Sequence, residues 1–73
     1  MLLSQLKKGE KAVIKNFDIQ LIPLKFIELG GLPENVVELV QVAPLGCPMH
    51  FIINDTRIVI RKEMAKLIEV EKQ

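Results

Sequence analysis

The alternation of apolar and polar residues marks out short elements from one end of the chain to the other. KAVIKNF, residues 11–17, mixes β-branched and apolar residues over the length of a strand, and Gly9 and Glu10 punctuate the chain just before it. The spacing then turns helical over residues 22–29, where Ile22, Phe26 and Leu29 recur at i, i+4 and i+7. Pro23 suits the first turn of this helix, and Gly30 or Gly31 supplies its left-handed stop. Its apolar face reads as core. LPEN is a turn in which Pro33 fixes φ and Asn35 tolerates positive φ. VVELVQV, residues 36–42, is the next strand. Val36, Glu38, Val40 and Val42 share one of its faces and Val37, Leu39 and Gln41 the other, so both faces are expected to be covered over part of its length.

APLGCP follows, with two prolines that cannot donate to a central ladder, and reads as a loop or an edge. MHFII and RIVIR flank NDT, where Asn54 and Asp55 suit a tight hairpin turn. Met49, Phe51 and Ile53 face one way, His50 and Ile52 the other. On the partner strand Ile58 and Ile60 face opposite to Arg57, Val59 and Arg61. KEMAK is one helical turn at most, and LIEVE a last strand. The sum is mainly β: about five short strands with one short helix. Strands so closely spaced favour a small closed or nearly closed barrel, which removes exposed edges.

Composition sharpens this picture. Seventy-three residues make one domain, residues 1–73. A chain of this length buries only about 60% of its unfolded surface, and a composition that is 49% hydrophobic compensates. Three Phe, with no Trp or Tyr, are poor material for stacking bases or lining an aromatic peptide groove. Ten basic residues balance nine acidic ones, for a net charge of +1 with no basic block, so no nucleic-acid partner is expected. One cysteine makes no internal disulfide, which fits a reducing compartment. The N-terminus lacks the order of a signal peptide, and no apolar run approaches the ~18–20 residues of a membrane span. The expectation is a soluble, cytoplasmic chain with no direct membrane insertion, reaching a membrane only through a partner.

Four features carry candidate chemistry. Cys47 and His50 lie as C-x-x-H, a spacing acceptable for zinc or another transition metal, but a closed structural site takes about four ligands. The chain has no second Cys or His, and Asp55 or Glu63 would contribute only if the fold brings them near. The alternatives are a buried, inert cysteine or a homo-oligomer in which two chains pool their Cys47 and His50. No resident cofactor is expected. As nucleophile and base the same pair lacks an orienting group, and the four glycines form no phosphate loop, so an enzyme is not expected. Pro44, Leu45, Gly46, Pro48 and Met49 place apolar atoms in a rigid loop, which suits partner contact. The other reading folds Leu45 back as a plug of the barrel. Arg57 and Arg61, on one strand face with Val59, are either a solvated edge paired with Glu63 or Glu69 or a contact for an acidic partner. Lys7, Lys8, Glu10 and Lys11 read as a solvated terminus.

Four stretches in order resemble the FeoA family of ferrous iron transport proteins, over roughly residues 4–71: LSQLKKGEKAVI, LKFIELGGLPENVVELV, APLGCPMHF and RIVIRKEMAKLIEVE. Two positions depart from the family's pattern. Cys47 stands where an aspartate is usual, and Glu34 stands where glycine follows Leu-Pro, which shifts the positive-φ requirement to Asn35 or alters the turn. The resemblance implies a small SH3-like barrel and a cytoplasmic accessory role. Its implied partner is a membrane ferrous iron transporter with a GTP-binding domain. Two other readings stay open: a stand-alone SH3-like adaptor, and a metal-responsive module like the C-terminal domain of iron-dependent repressors.

Overall fold

A computed structural model describes residues 1–73. Five strands, β1 (Lys11–Phe17), β2 (Val36–Val42), β3 (Met49–Ile53), β4 (Thr56–Ile60) and β5 (Ile68–Lys72), form one antiparallel sheet in the order β4-β3-β2-β1-β5. Two short helices interrupt them, α1 (Leu24–Glu28) and α2 (Lys62–Ala65), and Leu3–Gln5 form a 3₁₀ turn. The extents of 29 × 23 × 22 Å are nearly equal, so the sheet is rolled and not flat. Two irregularities of register help it curl, one in β1 between Ile14 and Asn16 and one in β2 between Leu39 and Gln41. The roll stops short of closure. β4 and β5 do not pair, and α2 crosses the seam between them.

Strand alternation builds the core. Ala12 and Ile14 of β1, Val37 and Leu39 of β2, Met49, Phe51 and Ile53 of β3, Ile58 and Ile60 of β4, and Ile68 and Val70 of β5 all turn inward. Leu3, Leu6, Ile22, Phe26 and Ala65 cap the open ends. The hairpin is as its sequence reads: Asn54 and Asp55 both take positive φ (51° and 61°), the pattern of a type I′ turn. The inward and outward sets on β3 and β4 also match the sequence pattern.

Three expectations are corrected. α1 is shorter than residues 22–29, because Pro23 (φ −58°, ψ 137°) stays extended as the residue before the helix and Leu29 (ψ 3°) leaves it. The positive φ of the LPEN turn falls on Glu34 (76°), and not on Asn35. Asn35 instead donates from Nδ2 to the Gly30 carbonyl at 2.6 Å, holding the turn against the end of α1. On β2, Val37 and Leu39 are sealed, while on the other face Val36 is 41% exposed but Val40 and Val42 are half-buried, so that face is covered over part of its length. β4 ends at Ile60, so Arg61 lies beyond the strand as the residue that starts α2.

Gly31 shows why a glycine ends this helix. A Cβ there would overlap the ring of Phe26, so the chain passes flat across the aromatic face. No helix is long and apolar enough to cross a membrane.

Candidate functional site

The loop from Ala43 to Pro48 is a hydrogen-bonded turn. The Gly46 N–H donates to the Ala43 carbonyl at 2.8 Å, and the Ala43 N–H to the Pro48 carbonyl at 3.1 Å. Gly46 takes φ 85°, and the Cys47–Pro48 peptide is cis. Leu45, in the middle of this turn, is 97% exposed and does not plug the barrel. Pro44 is also exposed, while Gly46 and Pro48 are half-buried. Met49 differs: at 3% exposure it belongs to the core and has no surface to offer a partner.

The loop leans on the start of α2, where the backbone N–H of Lys62 donates to Cys47 Sγ at 3.5 Å. Arg61 precedes that contact, so Leu45's loop and Arg61 share one end of the barrel. Arg57 lies toward the opposite end of β4, about 13 Å away at the rise of a strand. Both arginines are exposed, and neither is paired with Glu63 or Glu69. The ion pairs present are Lys72–Glu10 and Lys15–Glu34, the latter at 3.4 Å. Glu10 is therefore a paired residue and not a free member of a solvated terminus. Lys72 hydrogen-bonds its carboxylate, the Lys7 N–H adds a second bond at 2.7 Å, and together they lower its pKa from 4.5.

Cys47 and His50 do not gather a ligand set within the chain. His50 lies on β3 between Gln41 and Val59, half-buried, and its enclosed Nδ1 has no partner. Asp55 sits in the hairpin turn at the far end of β3, and Glu63 is exposed on α2. No three His, Cys, Asp or Glu side chains converge anywhere.

One feature is invisible in the sequence. A cleft of about 240 Å³ opens between α1 and the edge of β4, lined by Pro23, Phe26, Ile58, Val59, Ile60 and Met64 together with the basic Lys25 and Arg61. Its residues come from three separated segments. They meet because β4 is an edge strand and α1 lies across the cleft from it.

Set beside known proteins, the chain matches the FeoA domain family over residues 1–72. It is 35% identical over 72 residues to the Fe(2+) transport protein A/Fe(2+) transporter FeoB fusion protein of Porphyromonas gingivalis, covering 97% of this chain and 8% of that much longer one. Iron(II) transport protein A from Clostridium thermocellum is 42% identical with a TM-score of 0.88, covering 99% of this chain and 45% of that one. FeoA of Stenotrophomonas maltophilia, described as a prokaryotic SH3 domain protein and solved in complex with zinc, is 29% identical with a TM-score of 0.80, over 97% of this chain and 89% of that one. The rolled five-stranded sheet is thus the SH3-like fold that the four sequence stretches suggest. With the match running from Met1 to Lys72, the chain belongs to the FeoA family.

Proposed function

We propose that the protein is a cytoplasmic accessory of ferrous iron uptake. It acts by contact with a membrane iron transporter carrying a GTP-binding domain and biases that domain's nucleotide-linked state. The observation that carries this reading is the Porphyromonas gingivalis relative, in which a segment 35% identical to this chain is joined to an Fe(2+) transporter in one polypeptide. Covalent fusion holds two modules at high effective concentration, an arrangement of use when they work in contact. The end of the barrel carrying Pro44, Leu45, Gly46, Pro48 and Arg61 suits such contact, because an apolar side chain as exposed as Leu45 gains most from being covered. The test is retention of the transporter from the same genome by the immobilised protein. Leu45→Asp is expected to reduce retention at least tenfold with an unchanged circular dichroism spectrum. Equal retention with an intact fold rejects the loop as the contact.

A second reading concerns metal. Two chains would pool Cys47 and His50 around one zinc ion, a reading favoured by the zinc complex of the Stenotrophomonas maltophilia relative. Thiolate and imidazole are suitable ligands, and two from each chain complete a tetrahedral set. Titration with zinc is expected to double the mass in sedimentation and to slow alkylation of Cys47. If both stay constant, the reading is refuted.

A further inference from the structure

We propose that the open edge of β4 accepts an extended segment of the partner protein as an additional strand, with one apolar side chain seated in the cleft and acidic residues against Arg57 and Arg61. The identity of that partner rests on the accessory reading above; the strand-accepting edge rests on this structure.

The backbone argument comes from register. In a two-residue hairpin the closing pair, here Ile53 and Thr56, shares hydrogen bonds, and the pairs then alternate. Ile52–Arg57 and His50–Val59 are thereby the non-bonded pairs. The N–H and C=O groups of Arg57 and Val59 point away from β3, and neither residue's backbone bonds to any loop, turn or side chain. Proteins usually blunt such an edge or cover it. Here β5, the other end of the sheet, is partly covered: Met1 and Val70 exchange hydrogen bonds, and Leu2 bridges Glu69. No such cover lies along β4, where Val59 is 53% exposed.

The cleft supplies what a bare edge lacks, a place for a side chain. Its walls are apolar, and both charged residues lining it, Lys25 and Arg61, are basic. Exposed Arg57 extends the positive charge along the strand. Main-chain bonds would give affinity, the cleft would select an apolar residue, and the charge would select an acidic segment. The same charge disfavours a second copy as occupant, because an antiparallel β4–β4 seam centred on Val59 would set each Arg57 opposite the other copy's Arg61, two like-charged pairs each within a screening length of about 8 Å.

The experiment has two arms. In the first, amide NMR follows titration with a capped heptapeptide that alternates valine, threonine and leucine between two terminal glutamates. Shifts are expected at Arg57 and Val59 and at the methyl groups of Ile58, Ile60 and Met64. They should be at least fivefold weaker for the same peptide with terminal lysines, and lost in Val59→Pro. Proline there removes one outward N–H and leaves the β3 ladder its donors. No shift up to about 1 mM peptide, or shifts elsewhere, overturns the proposal. In the second arm the transporter is retained on immobilised variants. Val59→Pro and Arg61→Glu are expected to lose at least tenfold, and Lys15→Glu, on the exposed side of β1, to lose nothing. Should Val59→Pro fail to fold, Arg61→Glu carries both arms. Retention of the transporter equally by all variants overturns the edge and leaves the accessory role standing. No retention even by the unaltered protein overturns that role, and the peptide arm then decides the edge. A doubling of mass that Val59→Pro abolishes names a second copy as occupant and overturns the proposal.

Discussion

Glu34 occupies left-handed backbone at φ 76°, a conformation that costs a side-chain-bearing residue about 1–2 kcal/mol. Glycine would relieve that cost and give back part of it through its looser unfolded state. The carboxylate's pairing with Lys15 is exposed and worth little. Glu34→Gly is therefore expected to stabilise the protein by about 0.5–1 kcal/mol and raise Tm by about 4 °C, measured by thermal unfolding. The sequence exposes the anomaly, a non-glycine residue where the Leu-Pro turn needs positive φ, but leaves open whether Asn35 takes it or the turn alters. Propensity favours Asn there; the hydrogen bond from Asn35 Nδ2 to Gly30 employs that side chain elsewhere and leaves Glu34 with the strain. Cys47 and His50 illustrate the same limit. Their ligand chemistry is plain from residue type, whereas their lack of company depends on where Asp55 and Glu63 end up.

At the level of elements, the Glu10–Lys72 pair joins the entrance of β1 to the last residue of β5. The pKa of Glu10 is lower in the folded protein, so the folded state binds its proton less readily than the unfolded state does. The pair's stabilisation is complete above the unfolded value near 4.5, and it fades as pH falls through the lower folded value. Lys72→Gln is expected to raise the Glu10 pKa toward 4.5, read from its carboxyl carbon by NMR, and to flatten the acid limb of the stability curve between those two values. Strands and hairpin were legible because alternation and turn chemistry are local. The end of α1 was misjudged because Ile22 has helical spacing and is buried, yet is held by the turn before Pro23 and not by the helix.

For the whole molecule, closely spaced strands announced a rolled sheet, since a chain this short has few other ways to bury its apolar residues. Which seam stays open was not legible. It depends on β4 ending at Ile60 and on the chain passing through α2 into a β5 that pairs with β1 and not with β4. The contact face inherits that limit. Leu45 could be singled out from its loop, but Arg61, Pro23, Phe26 and Met64 become neighbours only once the sheet is rolled. The arrangement also sets the order in which the protein comes together. β2, β3 and β4 are consecutive and pair through short connections, whereas β1 completes its ladder only with β5, at the other end of the sequence. Met1 and Val70 exchange backbone hydrogen bonds across 69 positions of sequence. Ile68 and Val70 close over Leu3, Ala12 and Ile14, so this part of the core is sealed by the contacts most distant in sequence, whose loop-closure cost makes them the slow ones to form.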